Sequence, residues 1–130
     1  MIEVAIRSLL TNESTITDYV STRIYAGNLP QNPTLPALLY FKVSDPGAEV
    51  HHGGGVQIYS PVFQISIYSR TYLEAKNIEN AIKAFLHGYS GTVSGVQIST
   101  IQFYSSQEFS DPTKTPEEHH VPMEFLFRYK

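Results

Sequence analysis

The stretch VFQISIYSRTYLEAKNIENAIKAFLHG, Val62 to Gly88, changes its hydrophobic period partway along and so decides the class of fold. Its first part alternates, with Phe63, Ile65 and Ile67 on one side and Gln64, Ser66 and Tyr68 on the other, the pattern of a strand. Thr71 and Glu74 then stand at capping-box spacing ahead of Ala75, Ile78, Ile82, Phe85 and Leu86, which recur at helical intervals. Gly88 supplies the left-handed residue that closes such a helix. A helix with one apolar stripe, entered directly from a strand, has to pack on something, and the flanking strands are the obvious partner.

Working outward, the last segment repeats the strand period. Val121, Met123, Phe125, Phe127 and Tyr129 alternate with Pro122, Glu124, Leu126, Arg128 and Lys130, which predicts a half-buried antiparallel strand. Gly91 to Ser105 reads as a strand with a tight turn at Ser94-Gly95. Ala37 to Ser44 reads as a strand buried on both faces, and Arg23 to Tyr25 as extended. Before these, Ile2, Ala5, Ile6, Leu9 and Leu10 give one apolar helical face. Ser14 to Val20 forms a second short helix with Ser14 or Thr15 as N-cap. Gly27 to Pro36 holds three prolines and reads as a stiff loop. Two further stretches, Asp45–Gly55 and Ser110–Glu118, are rich in turn formers and read as exposed loops. The alternating strand reads as beginning at Val56 and running to Ser69, and Pro61 argues for an edge position or a bulge near that point. The expected architecture is α+β: a mostly antiparallel sheet of four to five strands packed by one long helix and the N-terminal helices, in a single domain over residues 1–130.

Composition narrows the function. The 130 residues contain no cysteine, which excludes disulfides, thiolate metal sites and cysteine nucleophiles. Nine basic against twelve acidic residues give a net charge of −3, and the basic residues never cluster along the chain, which disfavours direct nucleic-acid binding. No apolar run approaches the ~20 residues needed to span a bilayer. Glu3 and Arg7 interrupt the first apolar residues, unlike a signal peptide. Nine tyrosines and seven phenylalanines in a chain only 16% charged suit either protein–protein contact or aromatic-rich strands.

Catalytic and ligand motifs are wanting. The histidine pairs His51-His52 and His119-His120, the latter beside Glu117 and Glu118, lack any spacing typical of a metal site, so solvated loop residues are the simpler reading. There is no G-x-S-x-G elbow. The Gly53-Gly54-Gly55 run lacks a P-loop pattern and precedes a strand rather than a helix. His87 most simply complements the dipole of the long helix. The expectation is a protein that is not an enzyme and has no cofactor and no metal.

The order of segments carries a resemblance. Arg23-Ile24-Tyr25-Ala26-Gly27-Asn28-Leu29-Pro30, followed by Leu35-Pro36-Ala37-Leu38-Leu39-Tyr40, resembles the R-[IV]-Y-x-G-x-x-P…LP-hydrophobic-Y pattern of phage tail-completion and tail-terminator proteins. Phe63-Gln64-Ile65-Ser66-Ile67-Tyr68 leading to Tyr72-Leu73-Glu74-Ala75 is similar to that family's strand and its helix beginning Y-x-E-A. The final alternating strand also sits where the family places its last one. Ser66, where an acidic residue is common, is a departure that an outward polar position tolerates.

The resemblance implies a structural subunit of a phage or prophage virion, made in the bacterial host cytoplasm and located at the tail or neck. It would complete or terminate the tail and join it to the head connector, as a homo-oligomeric, six-membered ring. Its partners would be its own copies, the tail-tube protein and the connector, with no membrane or direct nucleic-acid contact. The alternatives are a head-completion or adaptor protein of the neck, or a small α+β ligand-binding domain or enzyme. Function is expected at edge strands and in the two loops, with His51, His52, Tyr59, Pro61, Lys114, Glu117 and His119 as candidate interaction residues.

Overall fold

A computed structural model describes residues 1–50, 57–111 and 118–130. Two helices, α1 (Ile2–Thr11) and α2 (Ser14–Val20), precede strands β1 (Ile24–Ala26), β2 (Ala37–Ser44), β3 (Ala48–Val50), β4 (Gln57–Tyr59) and β5 (Val62–Ser69). The long helix α3 (Tyr72–Leu86) is followed by β6 (Gly91–Val93), β7 (Val96–Ser106), β8 (Phe109–Asp111) and β9 (Glu118–Tyr129).

The alternating stretch that opened the sequence reading is an interior strand. β5 pairs antiparallel with β2 on one side and with β9 on the other. β9, the longest strand, carries β7 along its other edge, with β8 at its N-terminal end and β4 at its C-terminal end. β6 and β7 form a hairpin through Ser94 and Gly95, both at positive φ (49° and 80°), as a two-residue primed turn requires. β1 lies parallel to β2 across the proline-rich loop. Arg23 closes that loop, donating from Nε to the Pro36 carbonyl (2.8 Å) and from its terminal nitrogen to Tyr19 (3.2 Å).

The fold is α+β, but the expected sheet of four to five mostly antiparallel strands is too small and too uniform. Among the described residues the sheet is mixed and has nine strands. The difference has a physical source. Part of each turn-rich stretch pairs with a neighbour, giving β3 and β8, so supplied hydrogen bonds outweigh weak local strand propensity.

Helix ends follow local chemistry. Thr71 Oγ1 accepts from Glu74 N (3.2 Å), the first half of the capping box. The second half is indirect: Ser69 Oγ donates to the Glu74 carboxylate (2.7 Å) and accepts from Thr71 N (3.3 Å). For α2 the cap is Glu13, not Ser14 or Thr15; its carboxylate accepts from the backbone and hydroxyl of Thr15 at 3.4 and 3.1 Å. A carboxylate there also faces the positive end of the helix dipole.

One buried cluster joins Ile2, Ile6 and Leu10 of α1 and Ile78, Ile82 and Leu86 of α3 to Phe63, Ile65, Phe125 and Phe127 of the central strands. The rings of Phe63 and Phe127 meet edge to face at 5.6 Å. The strands at the two sides of the sheet, β1 and β6, both pack on α1. Arg7 of that helix donates to the Ile24 carbonyl of β1 (2.8 Å), and Ser8 meets Ser94 of the β6–β7 turn (3.2 Å). The sheet is thus curled around one helix that bridges its two margins. The outer edge of β7 is covered differently: Gly88 N donates to the Ile101 carbonyl (2.8 Å), and Phe103 N donates to His87 Nδ1 (3.1 Å). His87 therefore serves as an acceptor for a strand rather than only as a companion of the helix dipole. Such covering blunts strand edges that would otherwise pair indiscriminately.

Candidate interaction surface

The residues expected to form contacts are dispersed. Tyr59 stacks on Tyr129 at 5.0 Å, and the same two residues pair β4 with β9. Pro61 is buried, its carbonyl accepting from Phe127 N (3.0 Å), and β5 beside it is paired on both sides, so it marks no edge. The irregularity it suggested lies across the ladder, where the β2 register shifts between Lys42 and Ser44. His119 is half-buried with the Tyr72 ring edge-on at 6.0 Å. His119 and Tyr129 lie at opposite ends of β9, about 33 Å apart at 3.3 Å per residue, so the structure does not bring His119 and Tyr59 together. His51, His52, Lys114 and Glu117 lie outside the described residues. Among the described residues no group of three or more His, Cys, Asp or Glu side chains could hold a metal ion.

What gathers instead is a corner where the start of α3 meets β8 and the start of β9. Lys76 Nζ contacts the carboxylates of Glu79 (2.6 Å) and Glu108 (2.7 Å), and the Tyr72 hydroxyl donates to the same Glu108 (3.1 Å to Oε2). The hydrogen bonds of Glu108 and Glu79 raise the Lys76 ammonium above its ordinary value, while Lys76 and then Tyr72 lower the Glu108 carboxyl. Exposed ion pairs add little stability singly, but a four-residue network fixes geometry. This one ties residue 108 to the first turns of α3.

Next to it the imidazole of His120 stacks on Tyr68 at 4.3 Å, nearly parallel, with the Phe109 ring at 6.0 Å. Burial holds the His120 pKa below the usual imidazole value, with Glu118 opposing. Its Nε2 is buried with no hydrogen-bond partner among the described residues, which fits an imidazole used as a flat apolar ring.

On this braced base sit three large apolar side chains left in solvent: Tyr72 (53% exposed), Leu73 (70%) and Phe109 (53%). Their sequence signal was legible in part. Tyr72 and Leu73 lie off the apolar stripe of α3, and an apolar pair on the polar side of an amphipathic helix is what a contact surface looks like. Phe109 gave no such signal, being embedded beside a turn-rich stretch.

Other polar groups are committed to holding the fold. Buried Ser66 accepts from Gln64 (2.8 Å), buried Ser69 braces the helix cap, and buried Glu79 pairs with Lys76. A shallow hollow of about 430 Å³ on the other side of the sheet, lined in part by Asp45, Tyr104, Leu126 and Arg128, brings together no acid–base or nucleophilic set. Among the described residues no helix is long and apolar enough to cross a membrane.

Residues 4–130 match the family described as Tail completion protein gp17. No curated protein matches the chain. Among solved structures, a chain of the virion of a native gene transfer agent particle superposes with a TM-score of 0.75 at 15% identity, covering 98% of this chain and 93% of that one. A second solved chain gives a TM-score of 0.61, also at 15% identity, over 99% and 93% of the two chains. At that identity both likenesses speak to the fold alone.

Proposed function

The chain belongs to the family of tail completion protein gp17, structural components of phage virions, and from that premise we propose that it completes the tail and joins it to the head connector as a closed ring of copies. The braced corner carries this reading. Polar side chains there are engaged in fixing geometry, and the apolar area they expose is of the kind that proteins use to bind other proteins. A cyclic ring needs two different complementary patches on each copy. The partners are further copies, the tail-tube protein and the connector.

Direct nucleic-acid binding finds little support. Arg7 and Arg23 donate to backbone carbonyls, Lys42 and Lys76 pair with carboxylates, and Lys83 lies 4.4 Å from the centre of the Phe103 ring. Among the described residues that leaves few cations for phosphates.

The test is electron microscopy of particles assembled without the chain. Separate heads and tails are expected, and added purified protein should restore joined particles. Normally joined, infectious particles in its absence would refute the proposal.

A further inference from the structure

His87 is the C-cap of α3 and has two tasks there that exclude each other. As a neutral ring, its Nδ1 accepts from Phe103 N on the outer edge of β7 (3.1 Å). That bond requires the proton of the neutral imidazole to sit on Nε2, and a charged imidazole has no acceptor at all. As a cation, the ring instead complements the negative end of the helix dipole, a gain of the same order as one ordinary hydrogen bond. Beside it Gly88 N donates to the Ile101 carbonyl (2.8 Å), so alternate residues of β7 are tied to the end of α3. Lys83, one turn back on the helix, lies 4.4 Å from the centre of the Phe103 ring and brings a positive charge to the same residue. β6 and β7 carry no charged side chain, and the titratable groups next along the chain are the phenols of Tyr89 and Tyr104. Glu124 and Arg128 stand beyond, on β9, opposite Ser105 and Thr100. Among the described residues no carboxylate pairs with His87.

We propose that His87 is a proton-operated latch on the outer edge of β7. The neutral ring holds the edge shut, and the charged ring releases the Phe103 amide and turns to the helix end. Imidazole is the side chain whose charge changes between about pH 5 and 8, so a modest acidification works the latch. The bond lies at the surface, where water takes over the released amide, and the opening stays local instead of unfolding β7. In acid this stretch of edge regains the capacity for strand pairing that covering had removed. The latch is a property of a single copy and does not depend on the ring.

The test is residue-resolved NMR of the full chain at about pH 7.5 and about pH 5.5, with amide exchange expressed as protection against the unstructured rate at each pH. At the higher value the His87 nitrogen shifts should place the proton on Nε2, and the Phe103 amide should be protected. At the lower value that protection should fall roughly five- to tenfold, the factor carried by one ordinary hydrogen bond. A His120→Phe chain should show the same fall, which separates the latch from the other buried imidazole. His87→Gln offers an acceptor that takes up no proton in this range, and should keep Phe103 protected at both values. His87→Lys offers only donors and should leave it unprotected at both. Equal Phe103 protection at the two pH values in the parent would overturn the latch. So would a proton on Nδ1 at the higher pH, or an acid-induced fall in His87→Gln as large as the parent's.

Discussion

Replacing Ser69 with alanine should cost more stability than removing the residue that formally caps α3. The Ser69 side chain is fully buried and links two groups at the helix start, donating to the Glu74 carboxylate at 2.7 Å and accepting from Thr71 N at 3.3 Å. The first is a short bond to a charged acceptor, a class worth about 1.5–3 kcal/mol, while the second is long and weak. Glu74 is half-buried and recovers some hydration when released, which places Ser69→Ala near the low end, about 1.5 kcal/mol. Thr71→Ala removes one ordinary cap bond, about 1 kcal/mol. Both bonds act on Glu74, so the double variant should lose about 2 kcal/mol rather than the sum. Urea unfolding at equilibrium reads all three, and in a thermal melt the single Ser69 loss should appear as a fall in melting temperature of about 6 °C. A Ser69→Ala protein within about 0.3 kcal/mol of the parent, or strict additivity with Thr71→Ala, would show that the indirect cap does not exist in solution.

Phe125→Ala, which removes a fully buried ring tilted against Phe103 at 5.5 Å, should cost about 3–5 kcal/mol in the same assay. Gly95→Ala should cost about 1 kcal/mol, because open space around the added carbon leaves only the penalty of a φ of +80°. The His120 pKa is lowered by burial, so the folded state binds its proton less readily than the unfolded chain. That contribution is fully present above the ordinary imidazole value and is lost as pH falls through the folded one. Proton NMR titration should find His120 below the ordinary value, and His120→Phe should flatten stability between neutral pH and pH 5. Lys76→Ala should change global stability little, yet speed amide exchange at residues 108 and 109, since the ammonium ties that turn to α3.

Sequence legibility followed the source of each element's stability. α3 was readable with both ends, since its stripe lies within the helix and Thr71 and Gly88 lie immediately beside it. β5 and β9 were readable because Phe63, Ile65 and Ile67, and Val121, Met123, Phe125 and Phe127, alternate onto one buried face, even though Ser66 and Leu126 on the other face are buried as well. β3 and β8 were hidden among turn formers, for three-residue strands exist through their partners' hydrogen bonds. Nothing local marks β1 as parallel to β2 either, because that pairing depends on Arg23 drawing the loop closed. Of the expected interaction residues, Tyr59 and His119 each meet a ring of their own chain and belong to different ends of the molecule. Tyr72, Leu73 and Phe109 were missed as a group. Their juxtaposition arises only when Lys76 and Tyr72 reach Glu108 across more than thirty positions of sequence.

The helix that bridges the two margins of the curled sheet also sets a timetable. Ser8 and its partner Ser94 are 86 positions apart, so during synthesis α1 cannot complete its packing until those later residues have followed. At roughly 5–20 residues per second, the apolar stripe Ile2, Ile6 and Leu10 waits several seconds for its second wall. During that interval α1 has only α2, β1 and the part of the core already made to lean on. Closure of the sheet is therefore the late event of folding, and a chain stalled before the β6–β7 turn would display an adhesive helix in place of a finished seam.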